Sequence, residues 1–375
     1  MDNWIMKLVG YGLVNLVYMD PANRYGNRNI FEIFSGVEAL GPSRVKFRLA
    51  RSSETSLRRL GFPLMPQHLL KNTNLDPKKG YSRQPMGSGP YSVTEADDNL
   101  LVFGLNRNYP GQQPSIQGIE LEVGPDQIHS HQLLTGRVQL DPVVRPQDMP
   151  QVTSSAYTDV RGYDSNEWSG FAYNCRHPVL RLKEVRQALT FLFDRAGALR
   201  ANFGEDAGVI VSGPFTPSSF CINPEVRPRP HDPIMADRLL DQANLLDRDG
   251  NGFREYNGKD IRLRMVLSKS MSEANKAVCA DFQRQAAEHM IRVDLDYQEK
   301  EVRYERVFYH HDYEIAFVTW KFDAASNVRP LFSTTEQDPG SYNIVQFDHD
   351  GVEELLGRFR GSTDDAERTA AGQRL

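Results

Sequence analysis

Five groups of residues in this chain are of types that could do chemistry. Asp247, Asp249, Asn251 and Gly252 reproduce the opening of a calcium-binding loop, but position twelve is Gly258, so the bidentate carboxylate such a loop needs is missing. That stretch reads as a solvated hairpin turn, with weak calcium binding as the alternative. His129-Ser130-His131 and His310-His311-Asp312 have a metal-ligand flavour, but adjacent or alternate histidines in polar loops read first as surface residues. Cys175, Cys221 and Cys279 lie far apart without CxxC spacing and read as small core residues. Trp320-Lys321-Phe322-Asp323 joins a large aromatic ring to a carboxylate, directly after an apolar run. No Gly-x-Ser-x-Gly, HExxH or paired catalytic carboxylates occur, so an enzyme reading has no positive support, and no cofactor is expected. Gly87 to Tyr91 lacks the helix and Lys-Ser/Thr of a phosphate-binding loop, and its glycines read as turn formers.

The elements that must position these residues follow from periodicity. Val45–Leu49, Leu100–Leu105 and Ile119–Val123 read as strands, and 80–91 and 140–149 as breaks rich in glycine or proline. Glu184–Phe203 sets Val185, Ala188, Leu189, Leu192, Phe193, Ala196 and Leu199 on one stripe and reads as one amphipathic helix. Asp232-Pro233 supplies an N-cap and a first-turn proline for a helix ending near Leu245. Ile261–Leu267, Ser272–Met290 and Arg292–Tyr297 read as strand, helix and parallel strand, with Val278, Phe282 and Ala286 on the helix's inner side. Tyr313–Val318 reads as a further buried strand, so Thr319 to Asp323 fall just beyond its carboxyl end, where open α/β sheets hold ligands.

Bulk properties narrow the field. With 375 residues the chain suggests two or three subdomains. A 39% apolar, 25% charged composition is that of a globular protein, and a net charge of −5 leaves no basic stripe for nucleic acid. Ile5 to Tyr18 is apolar but too short to span a bilayer. It lacks the basic leader and small-residue cleavage site of an export signal, and reads as a buried segment.

Ordered blocks then carry a resemblance. Asp20 to Tyr25 with Val37 to Leu40 and Arg44 to Leu49, Met65 to His68, Pro85 to Tyr91 with Leu105 to Gly111, Gly170 to Asn174 with Glu184 to Ala188 and Asp194-Arg195, and Asp247 to Lys259 are similar to blocks of family 5 of the extracellular solute-binding proteins, the oligopeptide, dipeptide and nickel binders of ABC importers. The pair Pro85–Tyr91 and Leu105–Gly111 is the most specific, although Pro110 replaces the family's Trp. The resemblance covers residues 18 to 375 and implies a type II periplasmic-binding-protein-like α/β fold, two lobes with open mixed sheets joined by a hinge. Family members are longer, so it implies a chain truncated at both ends: a partial accessory subdomain of lobe one over 1–84, a partial core of lobe one over 85–168, and lobe two over 169–375.

The implied function is capture of a short peptide in an interlobe cleft and its delivery to an ABC importer permease, by a periplasmic or surface-held monomer. Asp323 would take the ligand's ammonium, since peptide-binding members place an Asp three residues after a strand-terminal Trp. Trp320 would floor the pocket, and Asn174, Tyr173, Tyr342 and Asn343 would line the cleft. The plainer readings are an N-capping Asp323, a core-packed Trp320, hinge structure for Tyr173 and Asn174, and an ordinary surface loop for Tyr342 and Asn343. A nickel, haem or oligosaccharide binder, or a non-transport sensor or inactive fragment, stands as the alternative.

Overall fold

The computed structural model describes residues 34–41, 44–49, 85–124, 126–204, 207–322, 326–362 and 364–375. The apolar run at 5–18, the block at 65–68 and Asp323 lie outside the described residues. The chain divides into two compact units, residues 1–144 with 154–158, and 145–153 with 159–375.

In the smaller unit, β1 (Phe34–Gly41) and β2 (Arg44–Leu49) form an antiparallel ribbon with an Arg48–Glu38 ion pair of 2.7 Å across it. β3 (Tyr91–Ala96), β4 (Leu100–Leu105) and β5 (Gly118–Glu122) form an antiparallel sheet in that order. Asp97 makes the β3–β4 turn by accepting the backbone N–H groups of Asn99 and Leu100, both at 2.7 Å. The two halves of the most specific sequence signature meet here, because Asn106 donates its side-chain amide to Gly89 O (2.8 Å) and its backbone N–H to Pro90 O (2.8 Å). Helix α1 (Asp126–Leu134) follows, so the 129–131 histidines sit on a helix rather than in the expected loop.

Among the described residues the larger unit holds most of the buried apolar side chains. After α2 (Met149–Ser154) comes β6 (Glu167–Tyr173). The single helix expected over 184–203 is two helices, α3 (Lys183–Phe191) and α4 (Arg195–Phe203). Asp194 causes the break: its carboxylate accepts the Gly197 N–H at 2.8 Å, capping α4, while its own N–H is taken by Gln285 Oε1 at 2.7 Å. The stripe therefore holds through Phe193 and then rotates, leaving Ala196 exposed and burying Ala198.

Next come α5 (Pro233–Gln242), capped by Asp232 as expected, and the two-residue hairpin β7 (Glu255–Tyr256) with β8 (Lys259–Asp260). The strand–helix–strand unit is β9 (Arg262–Ser268), α6 (Glu273–Glu288, capped by Ser272) and β10 (Arg292–Gln298). β9 and β10 are parallel over seven residue pairs. A short helix α7 (Lys300–Tyr304) runs into a π-turn at Glu305–Tyr309, then β11 (Ile315–Lys321), α8 (Arg329–Phe332), α9 (Asp350–Gly361) and α10 (Asp365–Arg374).

The sheet order is β10-β9-β11-β6. One face packs Leu263, Met265, Leu267, Ile315 and Phe317 against Leu189 and Leu192 and against Phe282 and Ala286 of α6. Phe171 sits among Phe282, Phe193 and Phe317, with ring centroids 4.4, 5.6 and 5.7 Å away. Each such side chain contributes about 1.5–3 kcal/mol of transfer free energy when buried. The other face packs Ala172, Val266 and Ala316 against Val307, Tyr313 and Ile344, with the Tyr313 hydroxyl donating to Ile344 O at 2.6 Å.

Candidate functional site: the carboxyl edge of the central strand

One expectation about β11 needs correction. The strand runs three residues further along than its apolar run suggested and ends at Lys321, so Thr319, Trp320 and Lys321 lie on it rather than beyond it. Seven pairs bind it antiparallel to β6 and two, Ile315 with Met265 and Ala316 with Val266, bind it parallel to β9. Pairing with β6 is what extends it: an apolar pattern marks only the covered part of a strand, and backbone pairing continues past that cover.

Trp320 stands opposite Trp168 of β6. The Trp168 indole N–H donates to Pro214 O at 2.9 Å, whereas the Trp320 Nε1 is buried and has no acceptor among the described residues. The Trp320 ring meets Tyr342 edge-on, centroids 5.5 Å apart at 78°, and Tyr342 meets Phe308 at 6.0 Å and 83°. Phe308 stacks on Tyr304 at 4.8 Å. These rings form a half-buried row from the end of β11 to the π-turn, suited to apolar side chains of varied shape. One residue past the strand, the Phe322 backbone is clamped by Asn166, whose carbonyl accepts the Phe322 N–H at 2.9 Å and whose side-chain amide donates to Phe322 O. The chain is thus anchored immediately before Asp323.

Tyr342 is carried by a loop that Asn343 braces. Asn343 is fully buried, donates to Ser333 O (3.0 Å) and Phe347 O (2.9 Å) and accepts the Phe347 N–H (3.1 Å). Gly340 in this loop has φ +85°, and a Cβ there would come within 3.1 Å of the Tyr309 ring. Asn174 is similarly engaged within the protein, donating to His311 O and Tyr313 O at 3.1 Å and accepting the Arg176 N–H at 3.0 Å. Because Tyr173 pairs with Ile315, Tyr173 and Asn174 stand at the amino end of β11, roughly 17 Å along the strand from Trp320 at about 3.3 Å per residue. The structure therefore brings Trp320 and Tyr342 together and does not bring Tyr173 or Asn174 to them. Burial pushes the Tyr173 hydroxyl above its usual pKa range, against the opposing charge of Arg195.

Phe308, Tyr304 and Asn166 escaped the reading of the sequence. The spacing of four between Tyr304 and Phe308 was the available signal for the first two; Asn166 acts through a partner 156 residues away and left none. The calcium-like loop also gains a member. Asp247, Asp249 and the buried Glu255 offer oxygens within 4.8 Å of one another, Glu255 standing at position nine of that loop. Asp247 already accepts the N–H groups of Gly250 (2.8 Å) and Gly252 (3.0 Å), as a turn leading into a hairpin requires. His311 pairs with Gln346 at 3.1 Å, and Asp312 with Arg264 and Arg306, so neither belongs to a described metal cluster. Among the described residues no helix is long and apolar enough to cross a membrane.

Comparison with known proteins places this geometry. The profile of the bacterial extracellular solute-binding proteins, family 5 middle, matches residues 16–341. A probable di/tripeptide-binding protein of Pseudomonas aeruginosa is 23% identical over 290 residues, covering 76% of this chain and 52% of the relative. The nickel-binding periplasmic protein of Escherichia coli is 25% identical over 285 residues, 69% of this chain and 52% of that protein. The chain thus spans about half the length of these curated relatives. The fold matches NikA from Brucella suis, solved in complex with Fe(III)-EDTA, with a TM-score of 0.83 at 19% identity, over 100% of this chain and 75% of that one.

Proposed function

Because the chain belongs to family 5 of the bacterial extracellular solute-binding proteins, we propose that it captures short peptides at the carboxyl edge of β11 and passes them to the permease of an ABC importer. The observation that carries this reading is the clamp of Phe322, the residue before Asp323 in sequence, by Asn166 beside the Trp320–Tyr342 pair, at the edge where sheets of this kind hold ligands. A carboxylate there would neutralise a peptide's ammonium end, since a charged group leaving water needs a counter-charge and hydrogen bonds. Trp320 and Tyr342 would meet the side chain beside it. Asn343 serves by holding Tyr342 in place, and Tyr173 and Asn174 by framing the opposite end of the strand. Similarity to the di/tripeptide-binding relative supports a peptide ligand.

Capture without turnover, by a monomer working in the periplasm or at the outer face of the membrane and closing its lobes on the ligand, completes the reading. Titration calorimetry with di- to pentapeptides, each as the free amine and N-acetylated, tests it. Free peptides bind and are recovered intact, and acetylation weakens binding at least tenfold; equal affinity for both forms rejects the ammonium clamp. The likeness to a nickel-binding periplasmic protein favours a second reading, a metal chelate in the same place. That ligand would bind whether or not peptides do, and would not respond to Asp323→Asn.

A further inference from the structure

Two residues of the larger unit hold backbone angles that L side chains rarely adopt, and their side chains meet. His311 has φ +49° and Gln346 has φ +55°. The Gln346 Nε2 lies 3.1 Å from His311 Nε2. Such a backbone persists where its surroundings over-determine it. Here Asn174 donates to the His311 carbonyl at 3.1 Å, and the Gln346 N–H is donated to Asn343 O at 3.0 Å. His311 follows the π-turn in sequence, and Gln346 belongs to the loop that carries Tyr342.

The neighbours of Gln346 fix which way its amide points. Nε2 also lies 3.3 Å from Gln337 O and 3.1 Å from Asn343 O, two carbonyls that can only accept. Turning the amide over would set Oε1 against both. Nε2 is therefore the donor, and His311 Nε2 is its acceptor, so the neutral ring carries its proton on Nδ1. Gln346 is buried, and its Oε1 finds no donor among the described residues. A second proton on His311 would press an N–H against a donor amide that has no better way to turn. Burial first, and then the charges of Arg176 and His310, hold the proton affinity of His311 below the ordinary histidine range. Arg176 is kept near by its bond to Gln337 Oε1 at 3.2 Å. Of the acids on the packed elements, Asp312 pairs with Arg264 and Arg306, Glu314 with Arg264 and Glu336 with Arg329, and Asp338 is exposed.

We propose that the His311–Gln346 contact is an acid-released latch on the Tyr342 loop: neutral His311 holds residues 337–347 in place, and its protonation frees them. A histidine that resists protonation in the latched state supports that state fully above its ordinary value of about 6.5, and the support is lost as pH falls from there towards the lower, latched value. The latch stands on this geometry alone. Its effect on capture rests on the peptide reading, because Tyr342 meets Trp320 in the proposed ligand site.

Amide hydrogen exchange of the whole chain without ligand, at pH 7.0 and 5.5 and corrected for intrinsic rates, tests the latch. In segment 337–347 the N–H groups of Gly340, Asn343 and Gln346 are bonded to Phe308 O, Glu336 O and Asn343 O. Their protection falls at least about twofold at pH 5.5, while β9 and α6 keep theirs. His311→Asn suits the left-handed backbone and cannot take up the proton, so it abolishes the pH dependence. Protection that does not change with pH in the wild type overturns the proposal without any variant, as does a pH dependence that persists in His311→Asn. The His311 ring resonance of the wild type titrates below about 6.5, and a midpoint at or above that value also overturns it. Calorimetry with Ala-Ala-Ala at the same two pH values reads the consequence: affinity falls with the protection of the loop in the wild type and not in His311→Asn. Constant affinity over a loosened loop overturns the link to capture. If Ala-Ala-Ala binds at neither pH, the peptide reading has failed, and the exchange result still decides the latch.

Discussion

The strand β9 in the larger unit and the strand β5 in the smaller one both alternate, yet they meet different fates. Leu263, Met265 and Leu267 are fully buried beneath α6, while Ile119 and Leu121 are 41% and 48% exposed within the described structure. Alternation decides which side of a strand is apolar; whether that side is covered depends on elements far away in the chain. The comparison predicts that stability is concentrated in the larger unit's core, and that the proposed ligand site, at the edge of the same sheet, sits on its most rigid support.

The largest effect belongs to that core. Phe282→Ala removes a fully buried ring packed on Phe171 and Phe193 and costs about 3–5 kcal/mol, measured by denaturant unfolding. A loss below about 1 kcal/mol would show that the two sheets are equally tolerant. Asp194→Ala, which uncaps α4, costs about 1 kcal/mol.

Acid sensitivity comes next. Burial alone would raise the carboxyls of Asp296 and Asp312, but it is outweighed, for Asp296 by hydrogen bonds from Arg306 and Gln298 and the charges of Arg306 and Arg264, and for Asp312 by the hydrogen bonds and charges of Arg264 and Arg306, so both stay below the usual range. A depressed carboxylate contributes stability above its unfolded pKa of about 3.9 and loses it as pH falls through the folded value. Unfolding followed from pH 7 to 2 shows a weakening below about pH 4 that is shallower in Asp312→Asn. Ile119→Ser in β5 changes stability by less than about 0.5 kcal/mol. A larger effect would place a covered apolar face on the smaller sheet.

Much of this organisation is legible in the sequence where the determinants are local. Leu100–Leu105 is read to the residue, Ser272 and Asp232-Pro233 announce their helices, and β9, α6 and β10 show their type and order through periodicity. The misread positions depend on distant partners. Asp194 looks like a polar-face residue of one long helix until Gln285, 91 residues away, takes its N–H and frees the chain to restart. The true end of β11 is set by pairing with β6 and by Asn166, neither of which alters the local pattern. The site is legible to the same degree. Trp320 follows from strand position, but its contact with Tyr342 and the row through Phe308 and Tyr304 requires the loop at 337–347 and the π-turn to be folded.

A crystal structure of the protein with bound Ala-Ala-Ala tests the central claim most directly. The account predicts the peptide's ammonium within hydrogen-bonding distance of the Asp323 carboxylate, with the first side chain against Trp320 and Tyr342. A peptide seated elsewhere, with Asp323 facing bulk water, would contradict it.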